Sequence, residues 1–105
     1  MDIETLNRQI QESEALLLYV TTTDCSVCKV LKPKVRELLA ERFPKVEFLD
    51  VEMDLLPEAG QQWEVFSVPT VIGFFHGKEH FRKVRVFGIE ELAEALARPY
   101  ELLFG

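Results

Sequence analysis

A chain of 105 residues is long enough for one domain with a single hydrophobic core, and the expected domain is residues 1–105. Hydrophobic residues make up 48% and charged residues 29%, the balance of an ordinary globular protein rather than a disordered or fibrous one. The formal net charge of -6 argues against a nucleic acid or an acidic membrane surface as partner, and no apolar run is long enough to span a bilayer.

The start, Met1-Asp2-Ile3-Glu4, has no basic region followed by an apolar core, so it does not read as a secretory signal. A cytoplasmic, reducing compartment is expected, in which a structural disulfide is disfavoured and a catalytic one is permitted. Residues 2–13 read as a first helix, with Asp2 as N-cap and Ile3, Leu6 and Ile10 on one face. Ala15 to Thr21 is too continuously apolar for a half-exposed strand and belongs inside a sheet. Thr22 to Asp24 form a short loop. A helix follows from Ser26 to about Phe43, with Val30, Leu31, Val35, Leu38 and Leu39 on its apolar spacing and Pro33 kinking it.

Lys45 to Met53 reads as a second buried strand, and Pro57 to Trp63 as a short helix with proline in its first turn. After Ser67-Val68-Pro69-Thr70 comes the apolar strand Val71–Phe75. A turn at His76-Gly77-Lys78-Glu79 leads into an antiparallel strand through about Phe87. Phe81 and Val84 lie on opposite parities, which suggests a bulge near Arg82-Lys83. Gly88 breaks the strand. Ile89 to Arg98 is the last helix, stopped by Pro99, and Tyr100–Phe104 is apolar enough to dock on the body. The order is α-β-α-β-α-β-β-α. Right-handed crossovers make the helix-linked strands parallel and put the last hairpin at one edge of a mixed four-stranded sheet.

Within this frame the chemistry gathers at Cys25-Ser26-Val27-Cys28, which holds the only two cysteines of the chain. Two cysteines three apart at a helix start can close a disulfide within one turn. Cys25 lies where unpaired backbone N–H groups and the helix dipole favour a thiolate, and Cys28, one turn in, is placed to attack a mixed disulfide held by Cys25. A strand, a Cys-x-x-Cys and a helix in a βαβ setting read as a redox motif.

The element order, this Cys-x-x-Cys and Val68-Pro69-Thr70, 44 residues beyond Cys25, together resemble the thioredoxin family. Lys29, Pro33, the turn Phe74–Glu79 and Gly88 match further family positions. The resemblance implies the thioredoxin fold and thiol–disulfide oxidoreduction on protein disulfides, with Cys25 as nucleophile and Cys28 as resolving thiol. It implies a cis Val68–Pro69 bond that exposes the Val68 backbone to an extended substrate. Asp24, Ser67, Val68, Pro69 and the Phe87-Gly88 segment would rim the groove. No cofactor is expected beyond the redox-active pair itself. The expected partners are protein disulfides and an unidentified thiol reductant, with the chain a monomer.

The departures from the family are as informative. The family's usual Trp-Cys-Gly-Pro-Cys is Asp24-Cys25-Ser26-Val27-Cys28 here, and losing that proline moves such domains toward the oxidising end of roughly -270 to -180 mV. The family's buried aspartate is Tyr19, and the lysine that usually faces it is Asp50. Asp50 shares strand parity with Val46 and Phe48. Two readings stand side by side: a buried carboxyl with no lysine opposite, bonded by the Tyr19 hydroxyl and acting as general base for Cys28, or a carboxylate near the strand end that is simply solvated. Lys29 and the helix dipole favour the Cys25 thiolate, and Asp24 opposes them.

Two other classes compete with this reading. One is a redox-silent thioredoxin-fold interaction module. The other is a zinc site, since Cys25-x2-Cys28 and His76-x3-His80 imitate a Cys2His2 pattern, but 47 residues separate the pairs against about 12–15 in the finger spacing. The histidines read better as solvated hairpin residues, Trp63 as packing, and the basic run Arg82-Lys83-Val84-Arg85 as protection of an edge strand.

Overall fold

The computed structural model describes residues 2–105; Met1, part of the expected 1–105 domain, lies outside the described residues. Its elements are α1 (Ile3–Glu12), β1 (Ala15–Thr21), α2 (Ser26–Arg42), β2 (Glu47–Glu52), α3 (Pro57–Trp63), β3 (Thr70–Phe75), β4 (Lys78–Val84) and α4 (Ile89–Phe104). The strands form one sheet in the order β2-β1-β3-β4, with β1 parallel to β2 and antiparallel to β3, and β3 antiparallel to β4. This is the mixed, helix-flanked sheet of the thioredoxin fold, but only one of the two helix-linked pairs is parallel as expected. β3, reached from β2 through α3, lies beyond β1 rather than beside β2 and runs antiparallel to both, so the right-handed crossover rule governs β1-α2-β2 alone.

Every residue of β1 is buried, because both faces of this central strand carry helices. Its odd-numbered side chains, Ala15, Leu17 and Tyr19, enter a core with Val35, Leu39 and Leu96 from α2 and α4. Its even-numbered ones, Leu16, Leu18 and Val20, enter a second core with Leu6 and Ile10 of α1 and Ala59 and Trp63 of α3. The Asp2 carboxylate caps α1 by accepting from the Thr5 N–H at 2.8 Å. The Trp63 indole N–H donates to the Asn7 side-chain oxygen at 2.8 Å, tying α3 to α1.

Beyond shifts of one or two residues at element ends, such as β2 at Glu47–Glu52 instead of Lys45–Met53, three features differ from the sequence expectation, each for a physical reason. The last helix does not stop at Pro99 but continues to Phe104. Proline there removes the bond to the Ala95 carbonyl, and aromatic packing beyond it offsets the loss: Tyr100 meets Phe43 edge-on at 5.2 Å and Phe104 at 4.8 Å. The bulge of β4 falls at His80 rather than Arg82-Lys83, since Gly73 pairs with Phe81 and Phe74 with Glu79. The Phe81 ring lies over Gly73, where a Cβ would come within 2.1 Å of it. Finally, β4 ends at Val84 instead of Phe87. Arg85 adopts a left-handed φ of 67°, its N–H donates to the Pro69 carbonyl at 2.7 Å, and the chain leaves the sheet there.

Candidate active site

The register places every sequence-predicted site residue at one end of the sheet. Thr21, the last residue of β1, leads to the loop carrying Asp24 and Cys25, and Val20 pairs with Thr70 at the start of β3, directly after Pro69. Thr70 in turn pairs with Val84, after which the chain runs to Gly88, and Tyr19 pairs with Asp50 on β2. His76 and His80 lie by the other end, where Phe75 pairs with Ala15. The two halves of the imitated zinc pattern are therefore at opposite ends of the sheet.

The loop that delivers Cys25 is anchored by Thr23. Its N–H donates to Asp54 at 3.1 Å and its hydroxyl to Glu52 at 2.8 Å. Hydrogen bonding of the Asp54 carboxyl by the Thr23 side chain first, and by neighbouring backbone N–H groups second, holds it below the usual carboxylate range. Cys25 itself is the N-cap of α2: its sulfur accepts from the Cys28 N–H at 3.2 Å, as a serine or aspartate oxygen does in an ordinary cap. Cys25 and Cys28 are joined in a disulfide with a Cα separation of 5.2 Å. Cys25 is partly exposed and Cys28 is buried at 2% exposure, because its side chain faces the sheet. Asp24 is exposed.

Beneath the disulfide the arrangement departs from the sequence expectation. The Tyr19 hydroxyl does not bond Asp50. It donates to the Cys28 carbonyl at 2.7 Å, and burial, with the Asp50 charge second, pushes its pKa up to about 12. Asp50 does point to the α2 side, but it has a lysine after all: Lys32 of α2 reaches Oδ2, while Oδ1 is buried without a hydrogen-bond partner. Lys32 follows Cys28 by one helical turn, so the two share a face. That i, i+4 spacing was the available signal for a partner sought only on the strands. α2 runs uninterrupted through Pro33, whose missing N–H leaves the Lys29 carbonyl without its intrahelical donor.

Facing this end of α2, the Val68–Pro69 bond is cis. Ser67 accepts through its carbonyl from the Thr70 hydroxyl at 2.7 Å, Pro69 is buried, and its carbonyl takes the Arg85 N–H. Among the described residues the Val68 N–H and carbonyl bond to no other group. Gly88 is the N-cap of α4 at an ordinary φ of -93°, and a Cβ built there meets nothing within 4 Å. Between α2 and the segment Arg85–Phe87 runs an open groove of about 470 Å³, which includes Val27, Val30 and Val86. Val30, counted among the inward positions of α2 from its spacing, is 63% exposed and faces this groove instead. Among the described residues no group of three or more histidine, cysteine, aspartate or glutamate side chains is placed to hold a metal, and no helix is long and apolar enough to cross a membrane.

Residues 1–98 match the family model described as thioredoxin. The thioredoxin-like protein YdfQ of Bacillus subtilis is 29% identical over 96 residues, 91% of this chain and 85% of the relative. The thioredoxin of Chlamydia trachomatis is 38% identical over 74 residues, 70% of this chain and 72% of the relative. Among solved structures, thioredoxin O2 from Arabidopsis thaliana in the oxidised state superposes with a TM-score of 0.81 at 23% identity, covering 94% of this chain and 90% of that one. Fasciola hepatica thioredoxin gives a TM-score of 0.76 at 28% identity, covering 91% and 89%.

Proposed function

Because this chain belongs to the thioredoxin family, whose Cys-x-x-Cys pair supports thiol–disulfide oxidoreduction at the family level, we propose that it is a protein-disulfide oxidoreductase in which Cys25 is the nucleophile and Cys28 the resolving thiol. The observation that carries this reading is the asymmetry of the pair: a partly exposed sulfur at the N-cap of α2, and a buried one a turn later. The N-cap position lowers the energy of a thiolate on Cys25 through backbone N–H donation and the helix dipole.

In the reducing direction the Cys25 thiolate attacks one sulfur of a substrate disulfide, forms a mixed disulfide and expels the other sulfur as a thiolate. Cys28, on losing its proton, attacks the Cys25 sulfur, closes the Cys25–Cys28 disulfide and expels the second substrate thiolate. Two electrons pass from the dithiol to the substrate, and a thiol reductant returns them. Asp50 serves as acceptor of the Cys28 proton; the support is its α2-facing carboxylate with one buried oxygen unbonded. The free Val68 backbone receives the substrate chain by strand addition, with Ser67, Pro69 and Gly88 around it. Asp24, where the family presents an aromatic side chain, weakens apolar docking and gives poor activity on generic substrates such as insulin. We place the protein in the cytoplasm as a monomer.

The test is a Cys28→Ser variant. It should accumulate mixed disulfides through Cys25, and brief iodoacetamide treatment of the reduced wild type should label Cys25 first. Preferential labelling of Cys28, or no trapped species, would contradict the assignment and favour a redox-silent interaction module. Asp50→Asn should lengthen the life of the mixed disulfide without slowing its formation. Equal lifetimes would remove Asp50 from the mechanism.

A further inference from the structure

Among the described basic side chains near the disulfide, Arg85 is the one that joins a free guanidinium to a constrained backbone. On β4 and its continuation, Arg82 pairs with Glu79 and Lys83 with Glu91, whereas the next basic residue, Arg85, has no ion pair or side-chain hydrogen bond among the described residues. Its backbone is nonetheless fixed in the left-handed region at φ 67°, a conformation unfavourable for any residue with a side chain. The bond from its N–H to the Pro69 carbonyl maintains that conformation and ties the segment to the loop that receives substrate in the exchange mechanism above. The next residue bonds back, Val86 N–H to the Val84 carbonyl at 2.8 Å, and its side chain is left 91% exposed.

Across the groove from this segment, Val27 and Val30 are 61% and 63% exposed. Three exposed valines from two elements, with Phe87 beside them, make an apolar floor starting one residue from Ser26 and so within a turn of Cys25. Isolated exposed apolar side chains are ordinary, but a set gathered along one groove marks an interaction surface. The charged residues lining it are Arg85 and Lys34, and no carboxylate lines it, in a chain whose net charge is -6. Lys34 also borders the surface of Glu37, Glu41 and Glu90, so Arg85 is the cation that belongs to the groove alone.

We propose that this groove selects protein disulfides whose reactive cysteine is flanked by an apolar side chain and a carboxylate, the apolar group resting on Val27, Val30 and Val86 and the carboxylate on Arg85. The proposal rests on the exchange function above and names its substrate class. Charge complementarity chooses the occupant: a purely apolar partner would leave Arg85 desolvated and unpaired, and a basic one would be repelled. Asp24 does not line the groove, so it disfavours a substrate carboxylate only on its own side of the disulfide. Because the chain as a whole is acidic, the groove confers selectivity rather than general attraction of acidic proteins.

The test uses three short peptides with one intramolecular disulfide each, identical except for Glu, Gln or Lys two residues from an invariant Leu-Cys pair. Their reduction by the full chain is followed at low salt with dithiothreitol as terminal reductant. The Glu peptide should exceed the Lys peptide in kcat/KM by roughly 1.5- to fivefold, the range of one exposed ion pair, and the difference should shrink in 0.5 M salt. In Arg85→Glu the order should reverse. In Lys78→Glu, an equal charge change on the far hairpin, it should not move. Equal rates for the three peptides, or the same order in wild type and Arg85→Glu, overturn the proposal while leaving the exchange function standing. Failure to reduce any of them overturns the exchange function itself. Sedimentation as a dimer that Val86→Asp dissociates assigns the groove to a second copy of the chain and also overturns the proposal.

Discussion

The two ends of the sheet are built on opposite terms. At the end where β1 begins, the chain is closed on itself. Phe43, Tyr100 and Phe104 stack in sequence, Lys45 lies over the Phe104 ring at 5.1 Å, and the Phe75 and His80 rings meet at 5.2 Å. The hairpin is pinned by the His76 N–H on the Glu14 carbonyl, and Gly77, at φ 78°, fits tightly against Gln11. At the end where β1 finishes, groups are left over: the Val68 backbone, the second oxygen of Asp50, the unpaired Arg85 in a left-handed conformation, and three exposed valines. The difference teaches where each kind of selection acts. The closed end ties most of its groups to one another and supplies stability, Leu102 remaining exposed, whereas the open end leaves free backbone and charged groups of the kind a binding surface keeps.

The sharpest way to separate the two ends is Cys25→Ser. Serine is itself a good N-cap, so α2 stays capped and the thermal midpoint should match that of the reduced wild type, while disulfide exchange is lost altogether. Loss of the fold would mean that the open end also carries stability. Conversely, Phe43→Ala at the closed end should cost about 3 kcal/mol by denaturant titration, because a buried aromatic ring leaves a cavity. The Cys25–Cys28 potential should stay within about 30 mV, the equivalent of ~1.4 kcal/mol. A larger shift would break the comparison.

Tyr19 gives a smaller effect, read through pH. Burial and the Asp50 charge raise its folded pKa from 10.0 to about 12, so folding favours the neutral phenol. Its contribution, on the order of 2 kcal/mol, is fully present below pH 10 and is lost as pH climbs toward 12. Wild type should therefore lose stability more steeply than Tyr19→Phe over that window, measured by chemical denaturation at each pH. Parallel curves would show that the phenol is not held neutral under the disulfide. Smallest of all, Gly88→Ala should change stability by no more than ~0.5 kcal/mol, since φ is ordinary and the space is open. A large loss would mean that the glycine serves the fold rather than the open end.

Much of this molecule was legible because its signals are local and unopposed. Seven consecutive apolar or β-favouring residues at Ala15–Thr21 could only be a central strand, and Asp2 three residues before Thr5 could only cap a helix starting there. The errors came where a local rule met a distant partner. Proline stops helices, yet Pro99 lies inside α4 because Tyr100 finds Phe43, 57 residues earlier in the chain, and Phe104 packs on Tyr100. The alternation Val84-Arg85-Val86 looks like strand, yet the Pro69 carbonyl draws Arg85 out of it. Asp50 was placed on the correct face by parity, but its cation comes from α2, and nothing in strand pairing announces a helix side chain. The groove beside the disulfide was invisible for the same reason: Val30 fits an apolar helix stripe, and only the neighbouring Val86 shows that it faces outward.

The central claim, that the open end works by cycling Cys25 and Cys28 between disulfide and dithiol, is met most directly by equilibrating the protein in a series of glutathione buffers and counting free thiols by alkylation and mass. The account predicts a single two-electron transition between the two cysteines, falling roughly between -270 and -180 mV and toward its oxidising end. A pair that remains fully reduced under oxidising glutathione, or that titrates as two independent thiols, would contradict it.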